Sequence, residues 1–191
     1  MWDILGIQKS KLRRDLFALW FANVDKKFYV RQLERLLNFS AGNLRKELKG
    51  LESNDIIYSR KEANLVYYFL NKKHPLFKEI KSIVFKTIGV EEILRHELKK
   101  ITGIEMAFIY GSFAKGEESS ASDIDLFIIG NPDENKLVEI IRKIEDKLDR
   151  EINYSLYGKE DFKNKKKEKE PFIMDLIKNK KVFLAGDINE L

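Results

Sequence analysis

The sequence predicts an α+β chain in two parts: a helical N-terminal half closed by a β-hairpin, and a C-terminal half built on a small mixed β-sheet with flanking helices. Three observations predict this. Apolar residues recur at helical spacing through the first third of the chain. Beyond residue 100, short apolar and β-branched runs alternate with helical stretches. The charge also divides: residues 1–90 carry 18 Lys+Arg against 9 Asp+Glu, and residues 91–191 carry 18 against 22, within a chain of net charge +5. A basic half joined to a mildly acidic half points to a polyanionic partner for the first half alone.

In order, residues 9–23 place Leu12, Leu16, Leu19 and Trp20 on one side of a helix that Asn23-Val24-Asp25 closes. Residues 28–38 form a second amphipathic helix with Val30, Leu33 and Leu37 together. Ser40 is placed as the N-cap of a third helix, Ala41–Glu52, which turns Leu44, Leu48 and Leu51 inward. The aromatic, β-branched runs 56–60 and 65–70 flank the polar Lys61-Glu62-Ala63-Asn64 and read as a hairpin. Helix, helix, short turn, helix, hairpin is the order of a winged helix-turn-helix. His74-Pro75 then breaks the chain, and residues 76–100 form a helical linker interrupted near Gly89. Trp2, Ile4, Leu5 and Ile7 make an apolar N-terminus suited to capping the first core or to a homodimer contact.

In the second half, 105–110 is a short apolar strand and 111–116 a turn leading into a short helix. Residues 123–129 are an alternating strand, 134–148 an amphipathic helix and 151–157 a third strand. The charged run 163–169 reads as a solvated segment, 172–180 as a last helix and 181–184 as a candidate edge strand. The resulting division is 1–75, 76–100 and 101–191.

The composition excludes several classes. There is no cysteine, so there are no disulfides or thiolate metal sites. Neither of the two histidines has metal-ligand spacing. No run approaches the ~18–20 apolar residues of a membrane span, and the N-terminus lacks a signal pattern. The expected location is cytoplasmic, with no membrane partner.

The chemistry concentrates in FIYGSFAKGEESSASDIDLFII, residues 108–129. Strand alternation puts Asp123 and Asp125 on one face, with Ile124, Leu126 and Ile128 turned to the core. Two adjacent carboxylates repel unless a cation lies between them, and Mg2+ favours one or two carboxylates plus phosphate oxygens. Gly111-Ser112 directly follows a strand, where a glycine lets backbone approach a phosphate and a serine donates to it. Lys115 stands close enough in sequence to meet phosphate charge.

The string GSFAKG…SDIDL resembles the signature of the DNA polymerase β-type nucleotidyltransferase superfamily in its minimal form, over roughly residues 93–160. The resemblance implies a nucleotidyltransferase fold for 101–191, Gly111, Ser112 and Lys115 at the triphosphate of an NTP such as ATP, and Asp123 and Asp125 on Mg2+. It also implies transfer of a nucleotidyl group to a hydroxyl, with a protein hydroxyl among the acceptors because the minimal family includes antitoxin-like members. Active members carry a third acidic residue on the strand after the helix. Here that stretch is Arg150-Glu151-Ile152-Asn153-Tyr154, with Asn153 standing where aspartate is expected. An amide is a weak ligand and no base. Glu151, two residues earlier on the same face, is the alternative third carboxylate. An inactive nucleotide sensor or a protein-binding module is therefore the competing expectation.

On the basic side, the third helix is the one that a helix-turn-helix sends into the major groove of double-stranded DNA. Its outward Asn43 and Arg45 suit adenine and guanine, and Lys46 and Lys49 suit phosphates. Arg60 and Lys61 near the hairpin tip are placed to meet a minor groove or backbone.

Overall fold

The structure, a computed structural model, describes residues 10–119 and 122–187; the apolar Trp2–Ile7 segment lies outside them. The chain divides into two compact units, Met1–Val90 with Asp146–Asp149, and Glu91–Glu145 with Arg150–Leu191.

The first unit runs α1 (Lys11–Ala22), β1 (Lys27–Tyr29), α2 (Val30–Leu37), α3 (Ala41–Glu52), β2 (Ile57–Glu62), β3 (Leu65–Leu70) and α4 (Phe77–Thr87). Its antiparallel sheet has the order β1-β3-β2. This is a winged helix. Ser10 caps α1 by accepting from Arg13 N at 3.1 Å, and Ser40 caps α3 through Asn43 N.

Two elements differ from the sequence reading. The second helix begins at Val30 instead of residue 28, because Lys27–Tyr29 pairs with β3 and buries Phe28 completely. That cross-strand pairing outweighs the helical period. And α1 is buried on nearly every side from Leu16 to Ala22, not along one stripe. The reason is α4, whose Phe77 stacks on Phe21 at 5.8 Å and whose Ile80 and Val84 join the same core. Residues 76–100 thus form two helices whose division falls at Gly89, with α4 part of the first core.

The second unit contains α5 (Val90–Leu98), β4 (Ile104–Tyr110), α6 (Gly111–Lys115), β5 (Ile124–Gly130), α7 (Glu134–Leu148), β6 (Ile152–Tyr157), α8 (Lys159–Lys167), α9 (Pro171–Lys178) and β7 (Val182–Ala185). The sheet order is β6-β5-β4-β7, with β5 and β6 parallel and the other pairs antiparallel. A parallel pair needs a long crossover, and α7 supplies it. Leu137, Ile140, Ile141, Ile144 and Leu148 are all buried on that helix. Both faces of β5 are covered: Ile124, Leu126 and Ile128 on one, Phe127 and Ile129 on the other. The charged run at 163–169 is largely helical, the end of α8, held down by the single buried Phe162. Among the described residues no helix is long and apolar enough to cross a membrane.

Candidate active site

The ends of three strands converge because β4 runs opposite to β5 while β6 runs with it. β4 therefore finishes where β5 and β6 begin. In register, Tyr110 lies opposite Asp125, and Asp125 lies beside Asn153. Alternation puts Tyr110, Asp123, Asp125, Asn153 and Ser155 on one face.

Gly111 makes the turn out of β4. Its φ is +67°, and a Cβ built on it would lie 2.1 Å from Asp125 Oδ2 and 3.1 Å from Asp125 Cγ. The Asp125 carboxylate thus occupies the space that any other residue's side chain needs. α6 follows, anchored by buried Phe113 and Ala114, and ends at left-handed Gly116. Ser112 is half-buried at its start and Lys115 exposed at its far end.

Asn153 Nδ2 donates to Asp123 Oδ2 at 2.9 Å. The amide, not Glu151, is therefore the third polar group in contact with the pair. Glu151 sits two residues earlier, exposed, with its carbonyl accepting from Ile124 N at 2.9 Å. Asp123 and Asp125 could offer carboxylate oxygens to a hard divalent cation, and the Asn153 amide oxygen could join them only after the amide turns from Asp123. Among the described residues there is no group of three His, Cys, Asp or Glu that would hold a metal. The set suits one cation, with two carboxylates and an amide, and lacks the third charge of a two-metal site.

The sequence reading assigned Arg150 no task. It is 6% exposed, and its Nη1 donates to the carbonyls of Ser119 at 3.0 Å and Ser122 at 2.6 Å. Its guanidinium also lies 5.5 Å from the Phe113 ring. One side chain thus ties α6 to the residue that precedes Asp123. A buried guanidinium against two carbonyls in so tight a fork fixes geometry at little entropic cost.

Burial first, and the Asp123 charge second, push the Asp125 carboxyl above its ordinary 3.8. The folded chain therefore holds this proton more tightly than the unfolded chain. For this group, stability is greatest below 3.8, falls as pH rises through the raised value, and stays lower above it. Asp125→Asn is expected to raise the thermal midpoint at pH 7 in chelator and to flatten this pH dependence. Melting curves across acid and neutral pH check it, and a lower midpoint at pH 7 contradicts it. Burial likewise raises the Tyr110 phenol, opposed by a hydrogen bond between the Tyr110 and Ser155 hydroxyls.

In the first unit, Asn43, Arg45, Lys46 and Lys49 are all exposed on α3, between the buried Leu44, Leu48 and Leu51. Arg60 and Lys61 are exposed on β2, two and one register pairs before the last pair, Glu62–Leu65, at the hairpin. Arg60 is tied to Glu62 by bonds of 2.6 and 3.2 Å, and Lys27 pairs with the same carboxylate.

A family model described as Polymerase beta, Nucleotidyltransferase matches residues 92–189. A curated relative from Methanocaldococcus jannaschii, "Putative protein adenylyltransferase MJ1547", is 33% identical over 93 residues, which is 48% of this chain and 62% of the relative. The chain thus spans about three-fifths of the length of the curated relative it matches. Among solved structures, HlyU from Vibrio cholerae is 22% identical with a TM-score of 0.36, covering 44% of this chain and 85% of its own. A toxin-antitoxin structure with AMP-PNP is 16% identical with a TM-score of 0.39, covering 52% and 76%. The adhesin competence repressor from Streptococcus pyogenes is 17% identical with a TM-score of 0.35, covering 51% and 75%. Likenesses this partial decide nothing about either unit.

Proposed function

The chain belongs to the polymerase beta nucleotidyltransferase family, and we propose that its second unit binds a nucleoside triphosphate with Mg2+ and passes a nucleotidyl group slowly to a hydroxyl acceptor. The observation that carries this reading is the Asp125 carboxylate set directly against the Gly111 turn, with Asp123 on the same strand face. In this reading the backbone at Gly111 and Ser112, with Lys115 beyond, receives the triphosphate. Asp123 and Asp125 hold Mg2+, aided by the Asn153 amide oxygen once the amide turns from Asp123. Bound Mg2+ supplies Lewis-acid charge neutralisation at the phosphate oxygens.

The residues themselves set the limits. Asn153 cannot accept a proton from an attacking hydroxyl. Glu151 is the remaining carboxylate at the start of that strand, and it is the candidate base. A protein hydroxyl is the preferred acceptor, on the strength of the relative's name. The test is twofold. Calorimetric titration with Mg–ATP is expected to give binding, lost in Asp123→Ala; no binding by the native chain removes the reading. Labelled ATP is then expected to mark a protein acceptor, and binding without any transfer leaves the second reading. That second reading, a nucleotide sensor or antitoxin-like module that does not turn over, is favoured by one specific observation: the Asn153–Asp123 bond where a base is required.

For the first unit, the proposal is binding to double-stranded DNA, supported by the basic balance of residues 1–90 and the exposed polar face of α3. Asn43, Arg45, Lys46 and Lys49 would meet the major groove, and Arg60 and Lys61 the flanking backbone. Mobility-shift titrations are expected to show affinity falling steeply between low and physiological salt. Arg45→Ala with Lys49→Ala is expected to weaken binding at least about tenfold, since a lost base contact and a lost phosphate contact add. Unchanged binding by that double variant assigns DNA contact elsewhere or nowhere.

A further inference from the structure

One aromatic side chain at the rim of the carboxylate site sits where burial does not explain it. Phe172, the second residue of α9, is 37% exposed, whereas Ile173 and Leu176 of the same helix are buried. It forgoes much of the hydrophobic stabilisation a phenyl ring offers. Its position is nevertheless fixed. Pro171 opens the helix, and the Glu170 carboxylate caps it by accepting from Ile173 N at 3.0 Å. The Phe172 ring stands 6.0 Å from the Tyr110 ring, edge to face at 69°, and 6.1 Å from the Phe127 ring at 47°.

Tyr110 is the link to the chemistry. It is the register partner of Asp125, and Asn153 and Ser155 of β6 share its face of the sheet. The Tyr110 side chain therefore lies on the same face as the carboxylates. Phe172 stands beyond it as an exposed aromatic surface bordering the site. Tyr110 thus stands between Asp125, its register partner, and the Phe172 ring.

We propose that Phe172 is the stacking surface for the base of the bound nucleoside triphosphate, with purines preferred. This rests on the reading of the Gly111–Asp125 site as a nucleotide site. A base has an apolar π-face and a polar edge. An exposed ring set beyond Tyr110 from an anion-and-cation site accepts the face and leaves the edge to water. Stacking of this kind rewards area rather than hydrogen-bonding pattern. ATP and GTP therefore bind alike, and CTP and UTP bind less well.

The experiment is calorimetric titration of the full chain with Mg–ATP and, separately, with Mg–tripolyphosphate, which carries the same charges and no base. Phe172→Ala is expected to weaken ATP about tenfold and leave tripolyphosphate unchanged. Phe172→Leu, which keeps apolar bulk against Tyr110 but has no π-face, is expected to behave like Phe172→Ala even if the smaller variant folds poorly. Phe172→Trp is expected to retain ATP affinity and to show fluorescence that ATP quenches and tripolyphosphate does not. Unchanged ATP affinity in both the alanine and leucine variants overturns the proposal. So does an equal loss of ATP and tripolyphosphate, which marks Phe172 as a mere support for the carboxylates. Failure of the native chain to bind either ligand removes the nucleotide site itself, and the stacking surface with it.

Discussion

Replacing Gly111 with alanine is expected to abolish Mg–ATP binding, with affinity lost at least about a hundredfold. Two separate effects act at this position. The backbone is left-handed at φ +67°, which costs a residue with a Cβ about 1–2 kcal/mol. More decisively, the added Cβ would lie 2.1 Å from Asp125 Oδ2, well inside van der Waals contact. Either β4 and β5 separate, or the carboxylate rotates away from the position it shares with Asp123. Both outcomes dismantle the arrangement on which cation and phosphate binding depend, because such constellations tolerate displacements of only about 0.5 Å. The second unit remains folded, since the strain falls at the sheet's end and not in its core. Calorimetry with Mg–ATP, alongside circular dichroism to establish folding, checks the prediction. A folded Gly111→Ala variant that binds nucleotide like the native chain would falsify the assignment of the turn.

Restoring a carboxylate at position 153 is the opposite kind of change, a gain. With a protein acceptor present, Asn153→Asp is expected to speed the attack of its hydroxyl on the α-phosphate of Mg–ATP, read as pyrophosphate released with the adenylyl group transferred, by about a hundredfold, the lower range of what a positioned base contributes. No backbone adjustment is needed, because the side chain already reaches Asp123 at 2.9 Å from a register position beside Asp125. The same substitution replaces an amide that donates to Asp123 with a third negative charge. In chelator the variant is therefore expected to melt below the native chain, and Mg2+ is expected to raise it more than it raises the native chain. Rates measured with and without Asp123→Ala in the same background separate true turnover from contamination. If Asn153→Asp leaves both the rate and the Mg2+ dependence of melting unchanged, position 153 is not part of the site.

The parts of this architecture that were legible in the sequence are those where chemistry constrains residue type over a short span. Gly111-Ser112 and Asp123-x-Asp125 needed only strand alternation to be brought together. That Asn153 stands where the family carries an aspartate could be read only by setting the Arg150–Tyr154 stretch beside the family resemblance. Of the helices of the winged-helix unit, α3 was the most legible, because it buries one regular stripe. What was hidden depends on partners far along the chain. β1 is three residues long and exists through its pairing with β3, some forty positions later. α8 buries only Phe162, so a run of lysines offers no period to detect. Arg150 looks like an ordinary surface charge until its two carbonyl acceptors, 28 and 31 residues earlier, are folded against it. The alternative third carboxylate at Glu151 rested on same-face alternation. Register puts Asn153 beside Asp125, and the bond that its amide makes to Asp123 is a diagonal side-chain contact that no residue pattern announces.

The parallel pairing of β5 with β6 has a consequence for biogenesis. The chain must complete the α7 crossover before Asn153 has anything to join, so a ribosome-bound fragment ending at α7 presents the glycine turn and both aspartates beside a bare strand edge. Such nonlocal closures are slow steps in assembly. If the unit binds nucleotide as proposed, that binding would report that synthesis has passed β6 and that the edge has been sealed.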